Sequence, residues 1–183
     1  MSQYPNEFEK NISLLDGTHI FLRPELSTDT EMLWQMFSTL SRDSLRYLVL
    51  PFSRERIERW TGNIDYDKAL PILAVVKEPN KTRVVASASL VFNEAAPIMH
   101  KAEFGITVHD DFQNKGLGTV MTKYMIEVAR RKKLNKVSLT VVAENRRAIH
   151  VYEMCGFKIE AKLEKENLVD GKFYDDYIMS IFL

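Results

Sequence analysis

The stretch with the most chemistry in it is a turn. Gln113-Asn114-Lys115-Gly116-Leu117-Gly118-Thr119 places two of the chain's seven glycines directly before a long amphipathic run. A glycine-rich turn feeding a helix N-terminus has the make-up of an anion site. Backbone N–H groups without intrahelical acceptors converge there, and the helix dipole adds partial positive charge. Gly116 and Gly118 keep side chains clear of that backbone, while Gln113 and Lys115 add side-chain donors. A tight strand-to-helix turn holding no ligand would be written the same way, so the turn alone leaves both readings open. Two nucleotide patterns do not fit. Gly118 is followed by Thr119-Val120 rather than Lys-Ser/Thr, and Met121 stands where a dinucleotide turn needs its third glycine.

Other reactive side chains are scattered. Asn145 and Tyr152 are two helical turns apart and can share a face. His109-Asp110-Asp111 lacks an organised second pair of ligands, so no metal is expected. Cys155, beside Gly156, reads as a small packed residue rather than a nucleophile. The basic run Arg130-Arg131-Lys132-Lys133 could meet a phosphate, but cations are favoured at a helix C-terminus in any case.

The elements that must position these groups follow from periodicity. Residues 1–17 read as a leader ending in a turn at Asp16-Gly17, followed by a strand over 19–23. Thr28 and Glu31 have the spacing of a capping box for a helix with Leu33, Met36, Phe37 and Leu40 on one face. Ser53 can cap a second helix containing Ile57 and Trp60. Strands are predicted at 71–77 and 83–92, joined by the hairpin-like EPNKT, and at 102–109, 136–142, 158–166 and 173–182. The helix after the glycine turn carries the stripe Leu117, Val120, Met121, Tyr124, Met125, Val128. A last helix over 146–155 stops at Gly156, with Phe157 packing behind. The order is mixed α/β (α+β) with mostly antiparallel neighbours and one strand–helix–strand unit over 102–142.

Composition sets the outer bounds. The chain has 183 residues, suited to one well-buried domain spanning 1–183. Its 25 basic and 25 acidic residues cancel, which argues against a dedicated nucleic-acid binder. One cysteine permits no internal disulfide and fits a reducing, cytoplasmic setting. MSQYPNEFEK is no secretory signal, and no apolar run is long enough to span a bilayer.

Two stretches together resemble a known family. Gln113-Asn114-Lys115-Gly116-Leu117-Gly118 is similar to the Q/R-x-x-G-x-G/A signature of the GCN5-related N-acetyltransferases (GNAT). Further along, Asn145, Ala148, Tyr152-Glu153 and Gly156-Phe157 resemble the family's second signature. The likeness is strongest over 83–182 and looser before that. It implies a mixed sheet flanked by helices, with strands 102–109 and 136–142 splayed to admit acetyl-CoA, and no metal. The turn from Asn114 to Thr119, opened by Gln113, would cradle the pyrophosphate. The backbone of Ile106, Thr107 and Val108 would hold the pantetheine arm, with the Val108 N–H donating to the thioester oxyanion. Asn145 would contact the arm. Tyr152 would protonate the leaving thiolate, as a phenol of pKa ~10 remains protonated at neutral pH. A core tyrosine is the plainer alternative.

The implied reaction is direct attack of a primary amine on acetyl-CoA, and the amine must first lose a proton. Glu103 is the candidate base. It shares a strand face with Gly105 and Thr107, opposite Phe104, Ile106 and Val108. Family members with a catalytic glutamate on the next strand differ here, where Thr140 stands; a solvated Glu103 paired with Lys101 is the structural alternative. The acceptor-side wall is expected from 41–67 and from Tyr174, Asp175 and Asp176, acidic and aromatic groups that suit a cation. Leu45-Arg46-Tyr47 and Ile64-Asp65-Tyr66-Asp67 loosely resemble protein-lysine acetyltransferases of bacteria and archaea. The expected acceptor is accordingly a protein lysine or N-terminal amine. A polyamine-like small molecule, or a CoA-binding sensor without turnover, is the alternative. Relatives often dimerise, so a homodimer belongs to the same expectation.

Overall fold

The computed structural model describes residues 3–48, 53–79 and 81–183. Among them, eight strands form one sheet: β1 (Lys10–Ser13), β2 (His19–Pro24), β3 (Ala69–Glu78), β4 (Lys81–Phe92), β5 (Lys101–Val108), β6 (Lys136–Val142), β7 (Lys158–Val169) and β8 (Lys172–Phe182). Their order is β1-β2-β3-β4-β5-β6-β8-β7. Every neighbouring pair is antiparallel except β5 and β6. The expected mixed, mostly antiparallel sheet is what the chain forms.

Among the described residues, five α-helices flank the sheet: α1 (Thr30–Ser38), α2 (Arg42–Leu45), α3 (Arg54–Gly62), α4 (Leu117–Arg131) and α5 (Arg146–Met154). Strand alternation sorts the core into two layers. Leu73 and Val75 of β3 join Val84 under Leu33, Met36 and Phe37 of α1 and Ile57 of α3. Ile72, Ala74 and Val76 face the other way, with Leu90, Phe104 and the α4 stripe Leu117, Met121, Tyr124, Met125, Val128. Each such large apolar side chain contributes about 1.5–3 kcal/mol on burial. None of the described helices is long and apolar enough to cross a membrane.

Two expectations need correction, and one helix was not expected. The segment read as a leader holds β1, which pairs with β2. Phe8 and Leu14 from the same segment are buried in the core. Thr28 and Glu31 form no capping box. Glu31 pairs instead with Arg54 of α3 at 2.9 Å, and Asp29 organises the entry to α1. Its carboxylate accepts from the Leu26 N–H at 2.7 Å and pairs with Arg23 at 2.6 Å, which is why it is buried without being isolated. The short helix α2 has no apolar period to announce it. It is held by Ser41, whose Oγ accepts from the Ser44 N–H. The EPNKT turn includes Asn80, which lies outside the described residues, as do Val49 to Phe52 within the 41–67 stretch.

Several local signals hold. Ser53 caps α3 by accepting from the Arg56 N–H. Gly156 ends α5 at φ +96°, where its N–H reaches the Glu153 carbonyl and the Phe157 N–H reaches that of Tyr152. Asp170-Gly171, both at positive φ, close the β7–β8 hairpin.

Candidate active site

Strand β5 pairs with β6 only at Lys101↔Lys136, Ala102↔Val137 and Glu103↔Ser138. Beyond Glu103 the strands part, and β6 continues along β8 through Val142. The gap opens into a cavity of about 470 Å³ between β5, β6, the glycine turn, α5 and the α2–α3 side.

The direction of the β5 backbone follows from its register. Val108 is opposite Ala86, while the His109 N–H reaches the Val85 carbonyl at 2.9 Å. In an antiparallel ladder this makes 103, 105, 107 and 109 the residues bonded to β4, so the N–H and C=O groups of Phe104, Ile106 and Val108 point into the gap. The Val108 carbonyl accepts from Gln113 Nε2 at 3.0 Å, consistent with that direction. Thr107, expected to offer backbone to the arm, gives its backbone to β4 but still lines the cavity.

The glycine turn ends the gap. Gly116 sits at φ +84° and Asn114 at φ +60°, the alternation that makes consecutive N–H groups converge. No side chain caps α4, so its first N–H groups stay available. A Cβ on Gly116 would meet nothing within 4 Å, because the space before the turn is open. These features fit a pyrophosphate. Asn114, Gly116, Gly118 and Thr119 line the cavity, but Lys115 and Leu117 do not. The Lys115 ammonium lies 4.0 Å from Asp16, and the Leu117 side chain is in the core. Any role for these two runs through their backbone.

Tyr152 forms the opposite wall. Its ring packs edge-on to Phe104 and tilted against Phe157. Burial pushes its phenol up to about 12, with the neighbouring Cys155 adding to the shift. The hydroxyl therefore keeps its proton at any working pH. Asn145 lines the cavity and caps α5, its Oδ1 accepting from the Ala148 N–H at 3.2 Å.

Glu103 does not line the cavity. It is exposed at the last paired position of β5, one strand alternation before Gly105, which does line it. Of the acceptor-side candidates, Tyr47 and Trp60 line the cavity, while Asp65, Tyr66, Asp67, Tyr174, Asp175 and Asp176 do not. Tyr66 is buried and donates to the Glu25 carbonyl at 2.6 Å. Asp175 pairs with Lys162, and Asp176 accepts from Asn167. The basic run at the end of α4 packs elsewhere, with Arg131 and Lys132 over the Phe8 ring.

Sequence reading missed Ser44. Its Oγ donates to Asp110 Oδ1 at 2.7 Å and accepts from Gln113 Nε2 at 3.0 Å. Ser41 adds a backbone and a hydroxyl bond to the same carboxylate. Burial works against the charge on Asp110, but these hydrogen bonds outweigh it and hold the carboxyl below its usual range. The network ties α2, the glycine turn and the end of β5 together. No local signal could have found it, because its members are more than sixty residues apart in sequence.

Comparison with known proteins agrees with this geometry. The "Acetyltransferase (GNAT) family" model matches residues 32–157. An L-amino acid N-acetyltransferase of Escherichia coli is 35% identical over 82 residues, 44% of this chain and 51% of that protein. A spermidine N(1)-acetyltransferase of E. coli is 34% identical over 86 residues, 46% of each. The chain thus aligns with about half the length of these two relatives. An acetyltransferase of Pseudomonas aeruginosa is 28% identical over 73% of this chain and 72% of its own. The GNAT domain of S. lividans PAT superposes with a TM-score of 0.78, covering 99% of this chain and 100% of that one at 21% identity, a likeness of fold. Strands that part beside a left-handed glycine turn, under a family model matching most of the sequence, lead to one conclusion: this chain belongs to the acetyltransferase (GNAT) family.

Proposed function

We propose that residues 1–183 act as one N-acetyltransferase domain that moves acetyl from acetyl-CoA to a primary amine. The observation that carries this reading is the β5 backbone, which turns Ile106 and Val108 into a gap bounded by the glycine turn at one end and Tyr152 opposite. A pantetheine arm laid there would pair with β5 as a missing strand does. Its pyrophosphate would meet the α4 N-terminus. The donor set suits this ligand, being N–H groups and small polar side chains with no carboxylate.

In the reaction, the neutral amine nitrogen attacks the thioester carbon, forming the C–N bond. The Val108 N–H, fixed in direction by the ladder, donates to the oxygen as negative charge develops. Collapse breaks the C–S bond, and the Tyr152 hydroxyl gives its proton to the thiolate. Glu103 takes the amine proton through water, since it stands at the rim and not on the wall. The acceptors considered from sequence were a protein lysine or N-terminal amine, or a small polyamine-like molecule. Two relatives are named for an amino acid and a polyamine, which supports a small amine.

Calorimetric titration with CoA, beside thiol release from acetyl-CoA over a panel of amines and peptides, tests the reading. Saturable CoA binding with turnover is expected. No CoA binding would overturn it, and binding without turnover on any amine would leave a sensor.

A further inference from the structure

Gln113 opens the glycine turn, a position that suggests a pyrophosphate donor, but its side chain turns back toward β5. Its Nε2 carries two hydrogens and has two acceptors, the Val108 carbonyl and Ser44 Oγ, each at 3.0 Å. Neither bond can be reversed. Ser44 has one hydrogen and gives it to Asp110 Oδ1 at 2.7 Å, and a carbonyl only accepts. Asp110 also takes the Ser41 N–H at 2.8 Å and the Ser41 hydroxyl at 2.7 Å. The result is a chain with one direction, from the Val108 carbonyl through Gln113 and Ser44 to a carboxylate. Burial works against the charge on that carboxylate, but its hydrogen bonds hold it below its usual range, so the chain ends on an anion.

The carbonyl at the head of the chain bears on the reaction. In an antiparallel ladder the N–H and C=O of one residue point the same way. The Val108 carbonyl therefore faces the gap beside the N–H that would meet the thioester oxygen. Left bare, it is a fixed dipole of the wrong sign next to a developing oxyanion, and inside a protein such a dipole acts more strongly than in water. Gln113 puts an N–H on it, and Asp110 at the far end polarises each bond of the chain. The same peptide unit is held on its other side. There the His109 N–H donates to the Val85 carbonyl at 2.9 Å, and the buried His109 ring bonds Thr39 Oγ1 at 3.0 Å. Both polar groups of that peptide are thus engaged, and its plane is fixed.

Resting on the acetyltransferase reading, we infer that Gln113, Ser44 and Asp110 are positioning residues for acetyl transfer: they cover the Val108 carbonyl and hold its peptide plane, so that the developing oxyanion meets the Val108 N–H without an opposing dipole. Gln113, Ser44 and Val108 all line the cavity, while Asp110 reaches it only through Ser44 and Gln113. The Gln113 side chain then serves the rate, and the turn's backbone serves the pyrophosphate. Ser44 also belongs to the acceptor-end wall, so the chain joins the place where the amine enters to the place where charge develops.

The test measures thiol release from acetyl-CoA with spermidine, L-leucine and a lysine-containing peptide, and takes the fastest acceptor forward to Gln113→Ala, Gln113→Arg, Gln113→Glu and Ser44→Ala. CoA affinity by calorimetry runs in parallel and also reports folding. Gln113→Ala should lower kcat about tenfold or more, with CoA affinity within about twofold of wild type. Gln113→Arg again presents several N–H groups and should recover part of the loss. Gln113→Glu keeps the shape but loses its donors while ionised. Its rate relative to wild type should therefore rise as pH falls toward ~4.3, where the carboxyl regains a hydrogen. Ser44→Ala should lower kcat about threefold, and adding it to Gln113→Ala should cost little more, since both cut one chain. Weaker CoA binding with kcat retained would assign the side chain to the pyrophosphate and overturn the inference. So would a flat pH ratio for Gln113→Glu, equal losses for Gln113→Ala and Gln113→Arg, or effects at the two sites that simply multiply. Wild-type protein that binds CoA but turns over none of the acceptors would overturn it too. No CoA binding by the wild type would instead sink the acetyltransferase reading.

Discussion

At one end of the cavity the working surface is backbone. The N–H groups of β5 and of the α4 N-terminus point into open space because strand register and two left-handed residues leave them no other direction. At the other end it is side chains: Ser44 on α2, Tyr47 in the turn after it and Trp60 on α3, held by a serine–aspartate–glutamine network and by arginines on aromatic rings. A backbone surface can be altered only by changing conformation, so it tolerates most substitutions and resists a few. A side-chain surface changes with each residue. One architecture can thus keep its backbone end and vary its side-chain end.

The sharpest break would come from Tyr152→Phe, which removes one oxygen from the backbone end's wall. We expect kcat/KM to fall about a hundredfold, the scale of a general acid, with CoA affinity in calorimetry unchanged. Because burial holds the phenol up to about 12, the wild-type rate should show no falling limb from this group below about pH 11. Glu103→Gln should cost about as much at neutral pH, with the loss shrinking as pH approaches the amine's own pKa of ~10, where base assistance matters less.

Conformation, not chemistry, is tested at the two glycines. Gly116→Val must hold φ +84° with a β-branched side chain, a strain of about 1–3 kcal/mol, so CoA binding should weaken about tenfold or more. Gly118→Ala meets Val108 Cγ2 at 3.9 Å, an ordinary contact, and should bind CoA nearly as well as wild type.

The entry to α1 rests on electrostatics. Glu25 is buried beneath the entry to α1, where burial first and Asp29 second push its carboxyl up to about 7, against the pull of Arg23. An unfolded glutamate titrates near ~4.3, so the favourable contribution of the neutral form is complete below that pH and is lost as pH rises through about 7. Glu25→Gln should therefore raise the melting temperature at pH 8, by a stabilisation of about 2 kcal/mol, and change little at pH 4. The smallest effect is expected from Ser44→Ala. It loses hydrogen bonds to Asp110 and Gln113, costing about 1 kcal/mol in denaturant unfolding and altering the acceptor KM before CoA affinity.

What the sequence determined by itself is what local physics writes locally. The α4 stripe, the Ser53 cap, the Gly156 stop and the Asp170-Gly171 turn each depend on a few adjacent residues, and each is where periodicity and turn chemistry place it. The glycine turn was legible for the same reason, since a helix start, two glycines and polar neighbours lie within seven residues. Tertiary structure alone decided the rest. It turned Thr107 toward β4 and Val108 toward the gap, because a one-residue shift of register reverses every group on a strand. It drew residues 10–13 into the sheet and brought Ser44 to Gln113 and Asp110. It also left the acidic residues 65, 67, 175 and 176 off the cavity wall and put Arg147 on it. Charge and aromaticity are visible in a sequence, but which of them meet depends on how distant segments pack.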